Sequence, residues 1–207
     1  MEFFRKLSVK FKILLIPAVG SIGFIIYLSI SMYTSSVAVD LLGNAQNVRF
    51  PLLQVSERSL VLLDKIKKTL SDAVTEGEIE LLEDANTMAT QIQANFKKAA
   101  GVDKETATEL RELEKQFDSY YKLAFEISKE MVDGTADFST ISSRSKAMSE
   151  QLLNLQNNLN SFQKKQMSSF TDSFTQVNEK AEATNNIGIV MAIITIALLF
   201  TVSDREK

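Results

Sequence analysis

The sequence predicts an all-α protein: an antiparallel up-down-up-down four-helix bundle whose first and last helices continue into two transmembrane helices. Three observations predict it. Apolar residues recur at steps of three and four through four successive segments, the spacing that keeps a stripe on one helix face. Glycine falls three times between Asn44 and Asn186, at Gly77, Gly101 and Gly134, each where such a stripe stops. Two apolar stretches without charge, 13–33 and 187–203, flank these segments.

The first stretch has no charge between Lys12 and Asp40. A helix crosses a bilayer with about 20 apolar residues, so residues 13–33 are long enough. Arg5, Lys6, Lys10 and Lys12 precede the span against Glu2 alone. Basic flanks stay inside, so residues 1–12 are expected in the cytoplasm and residues 34–186 outside it. Ser36-Val37-Ala38 has the small-x-small form of a cleavage site. The apolar region of a signal peptide runs to about 7–15 residues, and this one is longer, which favours an uncleaved anchor. Gly20, Ser21 and Gly23 give the span a small surface suited to close helix contact.

The first outer helix carries Leu41, Ala45, Val48, Leu52, Val55, Ser59, Leu62, Ile66, Leu70 and Ala73 at coiled-coil spacing. Pro51 interrupts it by removing one backbone donor and disfavouring helix at Phe50, so a kink is expected there. The second helix carries Leu82, Ala85, Ala89, Ile92, Phe96 and Ala99, with Thr75 and Glu78 at capping-box spacing before it. The third carries Leu110, Leu113, Phe117, Tyr120, Ala124, Ile127 and Met131. Asp103 is placed to cap it, and Glu105 falls in the expected first turn. The fourth carries Leu152, Leu155, Leu159, Phe162, Gln166, Phe170, Phe174, Val177 and Ala181, with Asp137 as its cap. Nothing marks an end between Ser139 and the second span, so this helix is expected to run unbroken into the membrane. Short joints make successive helices antiparallel.

Composition excludes much chemistry. The chain has no cysteine, histidine or tryptophan, which removes the commonest zinc sites and nucleophile pairs. No glycine-rich phosphate loop is present. Residues 34–186 carry 17 basic and 23 acidic side chains, a net charge of −6 that argues against nucleic acid as a partner. Neither an enzymatic activity nor a cofactor is expected. Glu76, Glu78, Glu80, Glu83 and Asp84 cluster at one joint but lack the ligand order of a calcium-binding hand, and read as a solvated helix start.

Two polar residues fall in the stripes. Ser59 and Gln166 fit a register-setting layer, or alternatively a small ligand pocket. For an anionic small ligand the candidates are Arg58, Lys65 and Arg144. Arg58 and Lys65 share a helix face, and Arg144 opens the helix expected beside them, so the three could bind a carboxylate or form a solvated charged face. Phe162, Phe170 and Phe174 read as core or dimer packing.

The opening MEFFRKLSVKFKILLIPAVG, the internal NVRFPLLQVSERSLVLLDKIKKTLSDAVTEGEIELLEDA and the closing NNIGIVMAIITIALLF together resemble the sensory region of bacterial methyl-accepting chemotaxis receptors of the four-helix-bundle type. The resemblance implies a two-pass protein of the bacterial inner membrane with its sensor domain in the periplasm. It implies a homodimer in which a small-molecule ligand, or a periplasmic binding protein, is felt at the outer bundle. The signal passes inward by a shift of the last helix. Related input domains serve sensor histidine kinases and diguanylate cyclases, and a non-sensing helical scaffold is a further alternative. Residues 204–207 read as a cytoplasmic stub without the basic, proline-containing relay start of such receptors, so the chain is expected to be a fragment or a natural truncation. The arginine cluster of amino-acid receptors does not transfer, because Arg58 is the single arginine of the first outer helix beyond Pro51.

Overall fold

The computed structural model describes residues 9–203, and every element among them is helical. Of the expected cytoplasmic segments, residues 1–8 and all of 204–207 lie outside the described residues. Helix α1 spans Val9–Asn44, α2 Phe50–Glu76, α3 Ile79–Ala100, α4 Ala107–Val132 and α5 Phe138–Ser203; a π turn, Ala45–Arg49, separates the first two. The chain divides into two compact units. One holds α1 and α5 from Asp172 onward, the other Ala45–Thr171.

In the first unit, the run of helix counted from Pro17 contains an 18-residue window of mean hydropathy 1.7, none of it buried. This N-terminal helix is long and apolar enough to cross a membrane. Ile22, Phe24, Ile25 and Met32 are exposed along it, as are Ile189, Val190, Ile193 and Ile196 on α5. On the N-terminal helix such a face suits lipid rather than water. The side chains of 198–199 and 201–203, at the end of the second expected span, lie outside the described ones.

The second unit has one apolar core to which four helices contribute. Leu63, Ile66, Leu70 and Ala73 enter from α2, Ile92 and Phe96 from α3, Leu110, Phe117 and Tyr120 from α4, and Leu155, Leu159 and Phe162 from α5. The expected α3 stripe, Leu82 through Ala99, is the buried face of that helix without exception. Each fully buried Leu or Phe contributes about 1.5–3 kcal/mol relative to exposure. Phe96, Phe117, Tyr120 and Phe162 are therefore major contributors, and each is 1% exposed.

Several expected details are corrected. On α2 the innermost positions are Ser56 and Leu63 rather than Val55 and Leu62, which sit partly buried at the edge of the core. Ser56 can be there because its hydroxyl donates to the Leu53 carbonyl at 2.8 Å, so no polar atom is stranded. The expected kink at Pro51 takes the form of the π turn. Proline has no N–H to offer the carbonyl of Asn47, and Asn47 lies within that turn. The Thr75–Glu78 capping box does not form. Thr75 is still inside α2, donating to Ser71 O, and Glu78 precedes α3 without a side-chain cap. The break is made instead by Gly77, whose φ of 72° directs its N–H and that of Glu78 onto the Ala73 carbonyl.

Asp103 acts one turn earlier than expected. It accepts from Glu105 N–H and Thr106 Oγ1 in the turn before α4, and the first acidic residue within the helix is Glu109. Met131 and Phe174 are exposed (36% and 43%) rather than core. Phe170 stays partly buried, tilted against Phe50 with ring centroids 6.3 Å apart. Asp137 caps α5 as expected, accepting from Ser139 N–H at 3.0 Å and from its hydroxyl at 2.7 Å.

Candidate functional site

In the unit formed by α1 and the later part of α5, two glycines seat large side chains of the opposite helix. A β-carbon on Gly23 would stand 2.6 Å from the terminal methyl of Met191, and one on Gly188 would stand 2.9 Å from Cε2 of Tyr27. The backbones approach closely because neither position has a side chain. Thr184 donates to Lys180 O at 2.9 Å and shares a 3.0 Å hydroxyl contact with Thr34, so a polar pair marks one end of this contact.

The three candidate cations do not line one pocket. Arg58 is exposed and lines an open groove between α2 and α3 with Gln54, Val61, Gln91 and Asn95. Lys65 is exposed and lies outside that groove. Arg144 is engaged by α4. Its guanidinium grips Glu130 with two bonds of 2.5 and 3.0 Å and approaches Glu126 at 3.8 Å. Hydrogen bonding from Arg144 holds the Glu130 carboxyl below the usual range, and Glu130 in turn raises the guanidinium. The signal for this clasp was present in the sequence as opposite charges on both sides of the α4–α5 joint.

Helices α4 and α5 also border a polar cleft of about 410 Å³. Glu112, Lys115 and Gln116 line it from α4, and Gln151, Asn154 and Asn158 from α5. Asn158 donates to Gln116 at 2.8 Å, while Gln151 Oε1 is buried without a hydrogen-bond partner. Sequence reasoning passed over this cleft, although four asparagines crowd residues 154–160 of one helix.

Of the two polar stripe residues, Ser59 is fully buried and its hydroxyl lacks a partner. Gln166 is equally buried. Its Oε1 accepts from Arg49 at 3.2 Å while Nε2 has no partner. Arg49 also lies 3.7 Å from Asp103 and 3.9 Å from Glu105, which gathers charge and amide at one end of the core. Tyr120 and Tyr121 are pushed up to about 12, chiefly by burial, and serve as packing groups rather than acids near neutral pH. The acidic residues 76–84 are exposed, and no group of three or more acidic side chains among the described residues is arranged to hold a metal.

Comparison with protein-family models, curated proteins and solved structures gives no significant match.

Proposed function

We propose that this chain is the input module of a bacterial transmembrane receptor of the chemotaxis type. It passes the inner membrane twice and holds an up-down-up-down bundle in the periplasm. It works as a homodimer without enzymatic activity, cofactor or nucleic-acid partner. A small molecule, free or carried by a periplasmic binding protein, biases the bundle, and the last helix carries the displacement inward. The observation that carries this reading is the single uninterrupted helix α5, Phe138–Ser203, which supplies core residues early and an exposed apolar face late. A helix is stiff along its axis, so a shift at one end reaches the other. The descending pairing of α4 with α5 (Glu109 with Lys165, Gln116 with Asn158, Glu130 with Arg144) supports the antiparallel order. The same module joined to a histidine kinase or a cyclase would work by the same displacement.

The absence of cysteine makes a direct test simple. Lys146→Cys and Lys10→Cys are introduced singly, and intact bacterial cells are treated with a membrane-impermeant maleimide. Labelling at 146 and protection at 10 until the cells are permeabilised is the expected pattern. Equal protection of both, or the reverse pattern, defeats the proposal.

A further inference from the structure

We propose that the cleft between α4 and α5 binds a small uncharged molecule rich in hydroxyl groups, of the polyol or monosaccharide class. This deepens the sensor reading and rests on it for the expectation of a ligand. The cleft volume of about 410 Å³ falls within the range of small-ligand sites. Its formal charge is neutral, since Glu112 and Lys115 offset each other. No arginine lines it, and an incoming carboxylate would face Glu112. The remaining polar lining is dominated by the amides of Gln116, Gln151, Asn154 and Asn158. Each amide offers donors and an acceptor side by side, the complement of a hydroxyl that both donates and accepts.

Two features show that the lining is not chosen for stability. Gln151 Oε1 is buried with its hydrogen-bonding capacity unused, an arrangement that disfavours the empty state. A rotamer change at Gln151, which lines the open cleft, brings this acceptor to a ligand hydroxyl. In addition, α5 places two asparagines, Asn154 and Asn158, one turn apart in the lining, although asparagine is a poor helix former. The Asn158–Gln116 bond holds one end of the lining in place, leaving Gln151 and Asn154 to meet the ligand.

The test uses the full chain in lipid nanodiscs with D-ribose, D-galactose and sorbitol, and with succinate and L-glutamate as charged probes. At least one hydroxyl-rich probe is expected to raise Tm, by mass action on the folded state, and to give a saturable titration by calorimetry. Gln151→Leu and Asn154→Leu are each expected to weaken that binding at least tenfold. Unliganded Gln151→Leu should melt at or above the parent, because an unpaired buried polar atom is gone. Failure of all three hydroxyl-rich probes overturns the proposal, as does undiminished binding in both variants. A response to succinate or L-glutamate alone also overturns it while leaving the sensor reading intact. Inverted maleimide labelling with sugar binding retained defeats the sensor reading and leaves the cleft standing.

Discussion

The ring of Tyr27 lies across Gly188, its Cε2 2.9 Å from the place a β-carbon would occupy. The reciprocal seat, Met191 over Gly23, is tighter at 2.6 Å but is filled by the end of a flexible chain. A thioether can swing away where a phenol ring must move as a plate. Gly188→Ala is therefore expected to cost about 1–3 kcal/mol of helix-pair stability and Gly23→Ala clearly less. The readout is a disulfide between Thr34→Cys and Thr184→Cys, whose hydroxyls meet at 3.0 Å in the parent. Crosslinking yield should fall several-fold with Gly188→Ala and little with Gly23→Ala. Equal yields in both would remove the asymmetry.

Acid should loosen the joint between α4 and α5. The Glu130 carboxyl is held below its ordinary 4.5 by hydrogen bonding from Arg144, and Asp137 below 3.8 by hydrogen bonds from the Ser139 side chain and backbone. A depressed folded value means that the bound proton favours the unfolded chain. The associated stability is present above the ordinary values and drains away as pH falls through the depressed ones. Glu130→Gln should lower Tm at pH 7, and its deficit against the parent should shrink as pH drops below about 4.5. A deficit that stays constant down to pH 2 would contradict the clasp.

Ser59 offers the opposite kind of test. Its hydroxyl is buried and unpaired, so Ser59→Ala removes a stranded donor and a single small atom. The expected change lies between neutral and about 1 kcal/mol of added stability by urea denaturation. A loss above that size would mean that the hydroxyl has a partner in solution.

Gly77 ends α2 in the left-handed region at φ 72°, with open space where a β-carbon would stand. Gly77→Ala should then cost about 1–2 kcal/mol through backbone strain alone. Gly101, at φ −83°, lacks this demand, and Gly101→Ala should cost distinctly less. Thermal melts of the two variants side by side distinguish the positions.

The helical core was most fully legible on α3, whereas the equally apolar stripe of α4 failed at its end, where Met131 is exposed. Leu82, Ala85, Ala89, Ile92, Phe96 and Ala99 were readable because every buried position of α3 carries an apolar residue. On α2 the true inner position is a serine that satisfies itself on its own helix, so Val55 stood out in its place. The π turn was not readable from Pro51, since proline announces a lost donor without saying how the backbone rearranges. Arg58, Lys65 and Arg144 were grouped by charge. Arg144 is set apart from the other two by helix register: Gln156 meets Asp64 at 3.3 Å, which leaves Arg144 about three turns further along α5, where it finds Glu130. Gly20 and Gly23 were visible as small residues, whereas Gly188 stood alone in an apolar run, and its role depends on Tyr27 facing it.

The turn between α4 and α5 has its closure written into its stems rather than its tip. Thr135 N–H returns to the Glu130 carbonyl, Asp137 caps the start of α5, and the Arg144 fork fastens α5 to α4 below the exposed residues 133–135. The tip itself is thus spare cord beyond the knot. An epitope or a fluorescent domain spliced in after Gly134 would give up the Thr135 bond but keep the Asp137 cap and the Arg144 fork, which makes this corner the natural port for tagging the protein without loosening its body.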